Sequence, residues 1–160
     1  MSRPTARPLQ IIERLGEQIR AHAAEHPDLW LATPMTIALE PSANVDQLPT
    51  PCVVFKINGA EPGEGGAVDL QLDTLDITIG LKTHDPEQPQ RAILELIADV
   101  RRALMGNRQM IDATDEPWLQ CGQLKDGGYT LETDFTEGGA GVGVAELKLE
   151  AEYQWTPETA

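Results

Sequence analysis

The chain has 160 residues, with 26 acidic against 12 basic side chains and a formal net charge of −14. That length supports one domain with a real core, and the acidity argues against wrapping duplex nucleic acid, because phosphate neutralisation by Lys and Arg supplies most of that affinity. No apolar run approaches the roughly 20 residues that span a bilayer, and the start MSRPTARPLQ lacks the apolar centre of a secretory signal, so a soluble protein made in the cytoplasm, with no membrane partner, is expected.

The first helix is expected from Pro8, with Ile12, Leu15, Ile19 and Ala23 on one stripe and Pro27 ending it. Residues 35–40 and 52–57 read as two short strands joined by the proline-bearing loop PSANVDQLPTP. NGAEPGEGGA, beginning at Asn58, has no large side chain to anchor it and reads as a mobile loop over about residues 58–68.

The most regular stretch runs from Asp69 to Gly106. Leu70 and Leu72 occupy one parity and Leu75, Ile77, Ile79 and Leu81 the other, which predicts a long strand with a β-bulge at Asp73-Thr74. After Asp85-Pro86, a helix from Pro89 places Ile93, Ile97, Val100 and Leu104 on its apolar face, with Arg91, Glu95, Asp99 and Arg102 among the remaining positions. Gly106-Asn107 gives a C-terminal stop.

Residues 118–124 suit a further strand, and Tyr129, Leu131, Thr133 and Phe135 alternate with polar neighbours. EGGAGVG, Glu137 to Gly143, then turns the chain as a second mobile loop over residues 137–143. Leu147, Leu149, Ala151, Tyr153 and Trp155 return on one face; Val142 and Val144 lie on the other parity, which predicts one slip near Ala145 or Glu146. The whole reads as a single α+β domain over residues 1–160: a mainly antiparallel β-sheet, two α-helices packed on one face, and a long glycine-rich hairpin.

The chemical motifs are weak. HAAEH, His22 to His26, has the form H-x-x-E-H in which two histidines bind zinc and Glu25 serves as general base, but Pro27 places His26 on a terminal turn, and a polar helix end with histidine favoured by the helix dipole is the expected role. GGAGVG lacks the strand–helix context and the Lys-Ser/Thr of a phosphate loop. Glu132, Asp134 and Glu137 are acids of a solvated strand face rather than a cation cluster, and His84 has no oriented partner nearby in sequence. Cys52 and Cys121 read as buried free thiols without metal spacing. Trp30, Trp118 and Trp155 are too scattered for a base-stacking platform.

Charge is uneven. Seven acids against Lys148 alone follow Tyr129, whereas Arg91, Arg101, Arg102 and Arg108 gather on or just after the second helix. An acidic sheet and a basic helix on one subunit suit head-to-tail contact, which closes into rings.

The N-terminal helix PLQIIERLGEQI, the strand LDTLDITIGLKTHD leading into PQRAILELIADVRRALMGN, and the final strand AELKLEAEYQWTP together resemble the tail terminator (tail completion, or minor tail) proteins of long-tailed bacteriophages. The resemblance covers most of the chain through patterns of residue type. It implies a structural, non-enzymatic virion protein of the tail and neck, assembled in the bacterial host cytoplasm, that forms a homohexameric ring capping the tail tube. Its partners would be further copies of itself, the tail tube protein and the head–tail connector or neck proteins, with DNA passing through the lumen without specific binding and no cofactor required. Under this reading Glu61, Glu64, Asp134 and Glu137 are candidates to face the lumen or a partner ring, and Arg101 and Arg102 to contact the adjacent subunit. The alternatives are another neck or tube component of a phage or phage-derived tail, a non-viral acidic adaptor, and remotely a zinc-dependent hydrolase built on HAAEH.

Overall fold

In the computed structural model, helix α1 (Arg7–Glu25) carries Pro8 in its first turn and buries Ile11, Ile12, Leu15, Ile19 and Ala23 along one stripe. The structure describes residues 6–30, 36–40, 48–63, 71–106, 124–131, 141–157 and 160. Within them lie β1 (Thr36–Ala38), β2 (Cys52–Pro62), β3 (Gln71–His84), helix α2 (Pro89–Met105), β4 (Leu124–Leu131) and β5 (Val142–Trp155). They form one five-stranded sheet in the order β1-β2-β3-β5-β4, parallel between β1 and β2 and antiparallel elsewhere.

Both helices cover the same face. Gly16 of α1 comes so close to β1 and β2 that an added Cβ would lie 3.2 Å from Leu39 and 3.4 Å from Ile37. Helix α2 buries Ile93, Leu96, Ile97, Val100, Ala103 and Leu104 in the same cluster as Leu75, Ile77, Ile79 and Leu81 of β3 and Ala145, Leu147, Leu149 and Ala151 of β5. The start of α2 is organised by Asp85, whose Oδ1 accepts the backbone N–H groups of Glu87 and Gln88, each at 3.0 Å. At its other end, Gln18 of α1 donates to the carbonyls of Ala103 (2.9 Å) and Leu104 (3.3 Å). Helix ends leave such carbonyls without intrahelical partners, so this side chain both caps α2 and fixes the helix pair.

The strands correct two expectations. No bulge interrupts β3 at Asp73-Thr74: β3 and β5 pair without a break from Gln71↔Trp155 to His84↔Val142. Leu72 therefore lies on the open face, while Asp73 holds the helix-facing parity and accepts the Tyr153 hydroxyl at 3.4 Å. The irregularity sits on the partner strand β2, between Ile57 and Gly59, where the Asn58 amide donates to Thr78 Oγ1 at 2.7 Å. Likewise β5 does not slip at Ala145 or Glu146. Val142 and Val144 take the open face, and the register shift falls in β4 between Asp126 and Tyr129. Parity was misread because apolar residues at strand ends cost little when half exposed.

The two loops also change. Residues 58–62 extend β2 rather than forming a mobile loop, and Gly63 N–H donates to Leu72 O at 2.7 Å; residues 64–68 lie outside the described residues. Of EGGAGVG, residues 137–140 lie outside them too, but Gly141 and Gly143 are packing residues. A Cβ on Gly141 would come within 2.6 Å of Pro86 Cα, and one on Gly143 within 2.8 Å of both Ile93 and Thr83. The strand expected over residues 118–124 is described only at Leu124, which begins β4; Gly127 and Gly128 lie inside that strand, and Gly128 takes φ +86 at its shift. Residues 132–136, the rest of the alternating strand expected from Tyr129, lie outside the described residues, as does Cys121. Cys52 is buried and free, and burial raises its thiol pKa.

Candidate interaction surface

Antiparallel sheets with helices on one side leave the other face to solvent, and strict alternation sends polar side chains there. Across β2, β3 and β5 that open face falls into registered rows. Lys56, Thr78 and Lys148 share one row; Gly59, Asp76 and Glu150 the next; Glu61, Thr74 and Glu152 the third. Lys125 of β4 stands opposite Glu150. Further toward the other end lie Lys82 opposite Cys52 and Val144, then His84 opposite Val142.

The rows are held by side-chain bonds. Thr78 is buried, at 7 % exposure, and its Oγ1 accepts from Asn58 and, at 3.0 Å, from Lys148 Nζ. Lys148 also approaches Glu146 at 3.8 Å. Lys148 is thereby anchored in the middle of the face, while Glu61, Asp76 and Glu150 line a shallow depression of about 360 Å³ with Asn58 and Thr74. The face is a mosaic with acids gathered toward one end, rather than simply the acidic sheet expected from the acids that follow Tyr129.

Glu61 is exposed in that acidic group. Glu64, Asp134 and Glu137 lie outside the described residues, as do Glu132 and Arg108. The two arginines expected at a subunit boundary are engaged within the chain. Arg101 meets Asp126 of β4 through Nε–Oδ2 at 2.7 Å and Nη2–Oδ1 at 3.0 Å, and its guanidinium stands 4.7 Å from the centre of the Tyr129 ring. Arg102 Nη1 donates to Asp99 Oδ1 at 2.9 Å and to Leu29 O at 3.5 Å. The basic helix is thus partly neutralised by its own sheet and its own buried acid; the Arg101 partner is 25 residues away in sequence, whereas Asp99 lies one turn before Arg102.

HAAEH takes a structural role. The Trp30 indole Nε1–H donates to His22 Nδ1 at 2.9 Å, and the His22 ring lies 4.7 Å from that of His26 and 5.9 Å from Trp30. Burial, then His26 and Arg102, push the His22 imidazole below its ordinary value against the opposing pull of Glu25 and Asp99. At this polar helix end His22 is engaged by Trp30, and its surroundings disfavour the charged imidazole. Among the described residues no cluster of three or more His, Cys, Asp or Glu could hold a metal ion.

A second hollow, about 410 Å³, opens beside the start of α2 and is lined by Thr83, His84, Asp85, Arg91 and Asp99 among others. The Thr83 hydroxyl finds no hydrogen-bond partner among the described residues, and Asp99 is 1 % exposed. Asp99, expected among the polar positions of α2, instead lies on its buried side, where Arg102 one turn later pairs with it.

Among the described residues no helix is long and apolar enough to cross a membrane. No protein-family model matches this sequence, and no curated protein matches it.

Proposed function

We propose that this chain is a structural subunit of the tail terminator type, a ring-forming cap at the end of a phage tail tube that offers the joining surface to the head. It acts by assembly rather than catalysis, in the tail and neck of the virion. The observation that carries the reading is the open sheet face beside the β3 and β5 pair, 14 residues long on each strand. A subunit whose helices seal one face and whose other face is broad, rigid and ionised can line a passage or meet a neighbouring ring without needing an apolar patch. The order of elements supports it: an N-terminal helix, a long strand feeding a second helix, and a final strand returning beside that long strand. The acids at one end of the face suit passing DNA, since they repel phosphates and keep the polymer from adhering.

The finding that Arg101 and Arg102 have partners inside the chain alters the proposed ring contact. Exposed Lys56 joins Arg101 and Arg102 as a candidate to meet a neighbour's acids. The test is electron microscopy of particles from the source phage or prophage with this gene deleted. Headless tails of irregular or excessive length are expected. Tails of normal length, joined to heads, would reject the reading.

A further inference from the structure

We propose that His22 and Trp30 form a proton-operated latch, in which an unprotonated Nδ1 accepts the indole N–H and keeps the chain leaving α1 docked, and a proton on Nδ1 releases it. The chemistry is set by the donor and acceptor inventory. An indole nitrogen can only donate, so the imidazole nitrogen facing it must be a bare acceptor. The neutral ring then carries its proton on Nε2, and the next proton can go only to Nδ1, in direct competition with Trp30. At 2.9 Å, two N–H groups facing each other cannot coexist, and one ring must move.

Trp30 is 6 % exposed and belongs to the hydrophobic cluster, so its release opens the core rather than a surface contact. Every charged group facing His22 bears on the balance. On α1, His26 opposes protonation and Glu25 favours it; on α2, Arg102 opposes it and Asp99 favours it, with burial opposing it most. Arg102 is also the second tether of the same turn, through Leu29 O at 3.5 Å. A charged His22 would repel the guanidinium that holds the turn, so both attachments weaken together. The neutral form contributes its stability above the ordinary imidazole value of 6.5 and loses it as the pH falls through the lowered folded value.

The experiment follows the Trp30 indole N–H by nitrogen-15 NMR, assigned as the signal missing in Trp30→Phe, from about pH 8 to about pH 5, the range over which histidines titrate. Its hydrogen-bonded downfield shift is expected to be lost with a midpoint below 6.5 while far-ultraviolet circular dichroism stays constant. In His22→Gln the side-chain carbonyl can accept the indole without titrating, so the pH dependence is expected to vanish. His26→Gln removes one repelling charge and leaves the latch intact, so the midpoint is expected to rise; this arm decides the matter if His22→Gln does not fold. An indole signal that stays put across the range, a transition that persists in folded His22→Gln, or a midpoint unmoved in His26→Gln overturns the latch.

Discussion

Arg101 of α2 and Asp126 of β4 are joined by two N···O contacts, at 2.7 and 3.0 Å, that tie the helix layer to the edge strand of the sheet. This pair, with Tyr129 beneath the guanidinium, joins helix α2 to the edge strand β4. A paired, partly buried Arg–carboxylate contact is stronger than an exposed one, and the aromatic ring adds a cation–π contribution.

Arg101→Ala is therefore expected to lower the stability of the isolated subunit by about 1 to 2 kcal/mol, read as an earlier urea midpoint with an unchanged slope. Arg102→Ala, with its side chain 44 % exposed, removes the 2.9 Å charge-assisted bond to nearly buried Asp99, and a loss of about 1 kcal/mol is expected. If both variants unfold like the wild type, the intramolecular pairs contribute nothing and the arginines regain their standing as subunit contacts.

Two glycines separate steric need from backbone need. Gly141 has φ +73 and no room, with Pro86 Cα 2.6 Å from an added Cβ, whereas Gly128 has φ +86 and open space around it. Gly128→Ala is expected to cost about 1 kcal/mol for the left-handed backbone alone. Gly141→Ala adds overlap with the Asp85-Pro86 corner and is expected to cost about 3 kcal/mol or more. Equal midpoints for the two variants in urea would refute the packing role assigned to Gly141.

Tyr153 gives an alkaline signature. Burial, and then the Asp73 carboxylate that its hydroxyl contacts, push it up to about 12. A raised folded value means that the neutral phenol stabilises the fold fully below the unfolded value of 10 and that this contribution is lost as the pH rises toward 12. In Tyr129→Phe, Tyr153 is the remaining tyrosine, and its ultraviolet tyrosinate signal is expected only near pH 12, merging with unfolding. A tyrosinate midpoint at 10 with the fold intact would contradict the buried contact.

Helical periodicity was legible because each apolar stripe is long: Ile12, Leu15, Ile19 and Ala23, or Ile93, Ile97, Val100 and Leu104, repeat over several turns and leave little choice of face. The strands were legible as strands but not in register. Leu72, Val142 and Val144 are apolar residues near strand ends on the open face, and a period of two cannot distinguish a real slip from an end that escapes burial. The register shifts fall instead where Asn58, in a segment expected as loop, and the pair Gly127 and Gly128 supply a side-chain tie or unusual backbone. The glycines at 141 and 143 misled for a related reason, since missing side chains can mark either freedom or contact too close for a Cβ. Of the candidate surface, Glu61 was visible as an exposed acid, but the pairings of Arg101 with Asp126 and of Trp30 with His22 depend on the tertiary fold.

The open face offers the sharpest separation of assembly from folding. Glu61, Asp76, Glu150 and Glu152 occupy adjacent rows on neighbouring strands, so like charges repel across the sheet and the monomer does not depend on them. Replacing them with Gln, Asn, Gln and Gln is expected to leave subunit stability within about 0.5 kcal/mol, or to raise it slightly. If this end of the face meets passing DNA or a partner ring, the same variant should assemble with altered salt dependence and yield fewer infectious particles, because the field that repels phosphate or steers docking is gone. Undiminished infectivity with normal joining would remove the face from the mechanism and leave Glu64, Asp134 and Glu137 as the acids to test. A folded subunit with impaired joining is the outcome that would tie the alternating charges of β3 and β5 to assembly rather than to solubility alone.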